Sequence, residues 1–141
     1  NLYSKYKPVS TAIDSTGGFD IGFFDRLKYS HPEIKEVNFS ASSPNEIYLN
    51  NRAYIYGRLA EACEKGFAIK DTEIRRALKY TTWTLSPAGK RQLIPKEKIK
   101  EIIGHSPDST DALALSFYNN GIETYKMDRL KAKNSINFLF R

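Results

Sequence analysis

Two stretches place carboxylates where they suit a hard cation. Gly104-His105-Ser106-Pro107-Asp108-Ser109-Thr110-Asp111-Ala112-Leu113-Ala114-Leu115 sets Asp108 and Asp111 three residues apart at the opening of an apolar helix. Pro107 blocks any helix running in from upstream, so a helix is expected to begin at this point. Asp108 can cap it, and Asp111 is expected to point out of the first turn, where negative charge suits the helix dipole. Far upstream, Thr11-Ala12-Ile13-Asp14-Ser15-Thr16-Gly17-Gly18 ends an apolar run in an Asp followed by a Gly pair. An Asp at a strand's carboxyl end beside such a turn can hold a metal ion or a phosphate. Each stretch also has a plain structural reading: helix capping for Asp108 and Asp111, an Asx turn for Asp14. If Asp14 ends a central strand and Asp111 opens a helix crossing beside it, carboxylates distant in sequence converge at one sheet edge. Two-metal phosphodiester hydrolysis requires that arrangement, because two closely spaced divalent cations must share several oxygen ligands. His105 is near enough in sequence to assist, though an ordinary loop histidine is the better reading of it.

The elements that must position these acids fit one domain. At 141 residues the chain has a single domain's length, and no segment approaches the run of apolar residues a membrane span needs. No signal peptide is visible, and the single cysteine, Cys63, has no partner for a disulfide or a metal site. An intracellular protein is expected, with no membrane partner. The net charge of +6 favours polyanions, with basic residues concentrated at Lys96-Glu97-Lys98-Ile99-Lys100 and from Arg129 to Lys133. Cations dispersed in this way suit duplex phosphates better than base edges.

In chain order, Leu2, Tyr3 and Tyr6 mark the end of a helix before Pro8. Val9 to Ile13 reads as a buried strand delivering Asp14, and Ile21, Phe24 and Leu27 supply one face of a helix. Ile34 to Phe39 alternates as a second strand, parallel to the first across a right-handed crossover. Ser43-Pro44-Asn45-Glu46 has the form of a capping box ahead of an amphipathic stretch that buries Ile55, Tyr56, Leu59, Ala62 and Cys63 and stops at Gly66. Pro44 to Leu49 reads either as the start of that helix or as a separate turn. Arg52 and Arg58 can reach phosphate or stay as surface ion pairs. Asp71 caps a shorter helix with Ile74, Ala77 and Leu78 inward. Thr81 to Leu85 and Arg91 to Ile94 flank Pro87-Ala88-Gly89-Lys90, a hairpin signal in which Trp83 reads as core. Lys96 to Ile103 is expected as a helix with Ile99, Ile102 and Ile103 inward, and Leu113, Leu115 and Phe117 anchor the helix after it. From Gly121 to Arg141 periodicity is poor apart from the apolar ending Ile136-Asn137-Phe138-Leu139-Phe140, which reads as an added strand or a docking peptide.

From about Pro8 to Tyr118 the chain resembles the nuclease domain of the tailed-phage DNA-packaging terminase large subunit. The residues that carry the resemblance are the strand-Asp-x-x-Gly-Gly turn at Asp14, Gly22-Phe23-Phe24-Asp25-Arg26-Leu27 and Val37-Asn38-Phe39. Tyr48-Leu49-Asn50-Asn51-Arg52-Ala53, Leu93-Ile94-Pro95-Lys96 and Ser106-Pro107-Asp108-Ser109-Thr110-Asp111-Ala112-Leu113 complete the pattern. The resemblance implies an α/β fold of the ribonuclease H type, with a mixed central sheet flanked by helices and a β-hairpin. It implies a metal-dependent endonuclease that cuts concatemeric double-stranded DNA during genome packaging with two Mg²⁺ or Mn²⁺ ions. By resemblance Asp14 is the second acidic ligand and Asp111 the last, with Asp108 as rival or helper. Lys96 matches a lysine near the scissile phosphate, and Lys90, Arg91 and Arg52 become candidate DNA contacts. The implied partners are double-stranded DNA, the terminase small subunit and the portal protein, in the bacterial host cytoplasm.

No residue matches the family's first metal-binding Asp, which lies on an antiparallel strand ahead of Asp14, and the motor domain's phosphate-binding loop is absent. The expectation is therefore an N-terminally incomplete nuclease domain over residues 1–120 and a tail over 121–141. Two alternatives stand beside it: a catalytically incomplete DNA-binding or docking module of the packaging motor, and a resolvase- or transposase-like nuclease of the same fold.

Overall fold

The computed structural model describes residues 2–8, 10–17 and 21–118. The sequence expectations for the segment after Gly121, including the apolar ending, lie outside the described residues. After a short helix α1 (Leu2–Tyr6), strand β1 (Ala12–Asp14), helix α2 (Ile21–Ser30) and strand β2 (Lys35–Val37) form a parallel βαβ unit. Ala12 pairs with Lys35 and Asp14 with Val37. Strand β2 is shorter than the sequence suggests, for local reasons. The Ile34 amide closes a turn onto the His31 carbonyl, and beyond Val37 the Phe39 amide donates to the Thr16 hydroxyl instead of a strand carbonyl. Phe24 of α2 is buried, with Leu27 of the same helix half-buried.

Helix α3 (Asn51–Glu64) does not begin at the expected capping box. The Ser43 and Asn45 side chains each accept from an amide two residues on, making successive turns, and Asn50 caps the helix by accepting from the Ala53 amide at 2.9 Å. The preceding residues are diverted into a sheet-like contact: the Arg91 amide donates to the Ile47 carbonyl, and the Leu49 amide to the Arg91 carbonyl. At the other end Gly66, at φ +102°, lets the Phe67 amide reach back to the Ala62 carbonyl, a Schellman closure. Ile55, Tyr56, Leu59 and Ala62 are buried as expected, and burial pushes the half-buried Cys63 thiol up.

Helix α4 (Thr72–Tyr80), capped by Asp71, leads into the antiparallel hairpin β3 (Trp83–Leu85) and β4 (Arg91–Leu93). Helix α5 (Lys96–Ile103) and helix α6 (Asp108–Leu115) follow, joined through Gly104 at φ +88°. Ile99 and Ile103 are buried one turn apart, but Ile102 is 49% exposed: in so short a helix it falls off the packed stripe. One core gathers Val37, Phe39, Ile55, Tyr56, Leu59, Ala114 and Leu115, with Trp83 packed half-buried against it; a second gathers Ala77, Ile99 and Ile103. The result is a mixed α/β fold whose sheets, among the described residues, are one parallel and one antiparallel pair. Helix α6 lies against α3, α4 and β1. Among the described residues no helix is long and apolar enough to cross a membrane.

Candidate functional site

The opening of α6 departs from both capping expectations. Pro107 takes the capping position without a side-chain bond, and Asp108 is already the first helical residue. Its Oδ1 accepts from the Ser106 hydroxyl at 2.7 Å and from Lys96 Nζ at 2.8 Å, bonds that hold its carboxyl below the usual carboxylate range. Asp111 does not point outward. It is 5% exposed, because α6 packs its first turn against α3.

Burying a carboxylate requires partners, and α3 supplies them. The Tyr56 hydroxyl donates to Asp111 Oδ1 at 2.7 Å. Arg52, one helical turn earlier, directs Nε and Nη2 at the same oxygen, each at 3.2 Å, while its guanidinium lies 5.3 Å from the Tyr56 ring centre. Burial first, and then the Asp111 charge, push the Tyr56 phenol well above its ordinary value, so it remains a donor at any working pH. The other oxygen, Oδ2, is buried with no hydrogen-bond partner, although Lys96 Nζ stands 3.0 Å from it as an ion-pair partner. Lys96 thus spans both acids from the start of α5. Burial disfavours its charge, but the bonds to Asp108 and Asp111 outweigh that and raise its pKa.

Asp14 ends β1 as expected, and its Oδ1 accepts from the Thr16 amide at 2.9 Å and the Thr16 hydroxyl at 2.6 Å, which is the Asx-type turn. That hydroxyl in turn accepts from the Phe39 amide, tying the Asp14 turn to the end of β2. Helix α6 runs beside β1, yet the structure joins only Asp108 and Asp111 through a shared cation. Among the described residues no three His, Cys, Asp or Glu side chains are gathered as a metal-binding group. His105 is exposed and pairs with Glu73 at 3.3 Å, on the loop ahead of α6. Lys90 and Arg91 lie at the turn end of the hairpin, the first half-buried and the second exposed. Arg52, read from sequence as a phosphate contact or a surface ion pair, is turned inward on Asp111, and Arg58 pairs with Glu61.

The hard oxygens of this cluster suit a divalent cation, and Oδ2 of Asp111 is a buried acceptor without a hydrogen bond that already faces the Lys96 ammonium. Two carboxylates cannot complete its coordination, so water, phosphate or a further acid must contribute. Tyr56 was legible only as a core residue. The signal that could have found it is its hydroxyl, which a buried helix face must pair with something.

A mixed α/β fold with an acidic pair opening a helix beside a parallel strand is the class this geometry defines. Among solved structures, the chain is similar to a mutant nuclease domain of the large terminase subunit gp2 of bacterial virus Sf6, in a structure with manganese. The TM-score is 0.64 at 18% identity, covering 84% of this chain and 69% of that one. The chain therefore has the fold of a terminase nuclease domain, as the motifs from Asp14 to Leu113 led us to expect. No family model matches the sequence, and no curated protein matches it.

Proposed function

We propose that the chain is a metal-dependent endonuclease acting on double-stranded DNA in viral genome packaging. The observation that carries this reading is Asp111: a buried carboxylate with Oδ1 held by α3 and Oδ2 facing only the Lys96 ammonium, which it shares with Asp108. In this reading Asp111 and Asp108 hold Mg²⁺ or Mn²⁺, and Asp14 contributes from the end of β1. Two such ions, when bound, supply an activated water and stabilise the departing 3′ oxygen. Lys96 leaves the carboxylates for a phosphate oxygen when DNA arrives, and Lys90 and Arg91 hold the duplex by its backbone. Those contacts carry no base information, so cleavage has low sequence specificity. The terminase small subunit and the portal protein are the proposed partners, in the host cytoplasm.

A second reading, a DNA-binding or docking module that does not turn over, is favoured by the absence of a three-ligand group among the described residues. Supercoiled plasmid incubated with the chain in Mn²⁺ separates the two. The nuclease reading expects nicking that EDTA abolishes and that Asp111→Asn loses while retaining DNA binding. Salt-dependent binding without any metal-dependent nicking supports the module instead.

A further inference from the structure

Asp111 is presented to its surroundings asymmetrically. Two hydrogen bonds from α3 converge on Oδ1, from the Tyr56 hydroxyl at 2.7 Å and from Arg52 Nε at 3.2 Å, and Arg52 Nη2 stands 3.2 Å away as an ion-pair contact. None reaches Oδ2. Tyr56 is 4% exposed and belongs to the main core, so its hydroxyl is fixed by packing on several sides. Residues 52 and 56 lie one helical turn apart, so the two donors move as one rigid unit with α3.

We propose that Tyr56 is a positioning residue for the metal site: with Arg52 it clamps Oδ1 of Asp111, so that the carboxylate offers a cation Oδ2 alone. This rests on the nuclease reading above and adds to it the group that orients the ligand. Partners of this kind fix a ligand's direction, and their loss typically lowers metal affinity about 10–100-fold. Tyr56→Phe keeps the ring and its packing but removes the shorter of the two bonds on Oδ1, leaving Arg52 alone to orient the carboxylate.

The test is a calorimetric Mn²⁺ titration of the full chain, with thermal unfolding in parallel, on wild type, Tyr56→Phe and Asp111→Asn. The expected result is a Mn²⁺ affinity lowered about tenfold or more in Tyr56→Phe with only a small change in melting temperature, and binding lost in Asp111→Asn. Unchanged affinity in a folded Tyr56→Phe, with binding lost in Asp111→Asn, overturns the clamp and leaves the nuclease reading standing. Unchanged affinity in Asp111→Asn overturns both. Should Tyr56→Phe fail to fold, Arg52→Lys carries the same test, since it keeps the charge but loses the guanidinium Nε donor on Oδ1. Wild-type affinity in that variant overturns the clamp equally.

Discussion

At the scale of single residues, Asp111 shows what spacing reveals and what it hides. Two acids after a Pro announced a helix opening, and one lies there. Which acid would be buried depended on what packs over the first turn, and that is decided by α3, some fifty residues upstream in sequence. Asp108 and Asp111 looked equivalent in the motif, yet one is exposed and bonded to Ser106 while the other is enclosed. From sequence Arg52 suits a phosphate contact or a surface ion pair, because nothing local names its partner; a carboxylate buried beside it draws it inward. The pairing also has a cost when broken. Asp111→Ala leaves the mostly buried Arg52 guanidinium uncompensated, and a loss of about 3–5 kcal/mol is expected in denaturant unfolding. Asp111→Asn, which still offers Tyr56 an acceptor, is expected to lose less. Equal and negligible losses in the two variants would mean that the ion pair carries no stability.

At the scale of elements, α3 is the part on which the site depends. Its buried face and its stop at Gly66 were legible from apolar periodicity and one glycine. Its start was not, because Ser43 and Asn45 satisfy neighbouring amides in turns, and the cap falls to Asn50. The hairpin was legible from its turn residues, whereas the pairing of Ile47 and Leu49 with Arg91 depends on distant chain and left no local trace. Gly57 records how closely α3 approaches that segment. A methyl group there would collide with the Tyr48 ring, so Gly57→Ala is expected to destabilise the fold by about 1–3 kcal/mol despite the better helix propensity of alanine. A rise in melting temperature would show that Tyr48 moves aside freely.

At the scale of the whole molecule, the order of motifs carried more than any one of them. A strand ending in Asp, a crossover helix, a second parallel strand and a late acidic helix opening describe a particular way of folding, and the structure has it. The mixed central sheet that the resemblance implies is not present among the described residues, where the two strand pairs remain separate. The convergence of Asp14 with Asp108 and Asp111 was an inference from topology alone. It rests on α6 lying beside β1, and the side-chain contacts join only the latter two acids. The most direct measurement is anomalous diffraction from crystals soaked in saturating Mn²⁺. The account predicts a peak against Asp111 Oδ2, within reach of Asp108, with the Lys96 ammonium displaced. Full Mn²⁺ exposure with no peak there, and Lys96 still spanning both carboxylates, would contradict it.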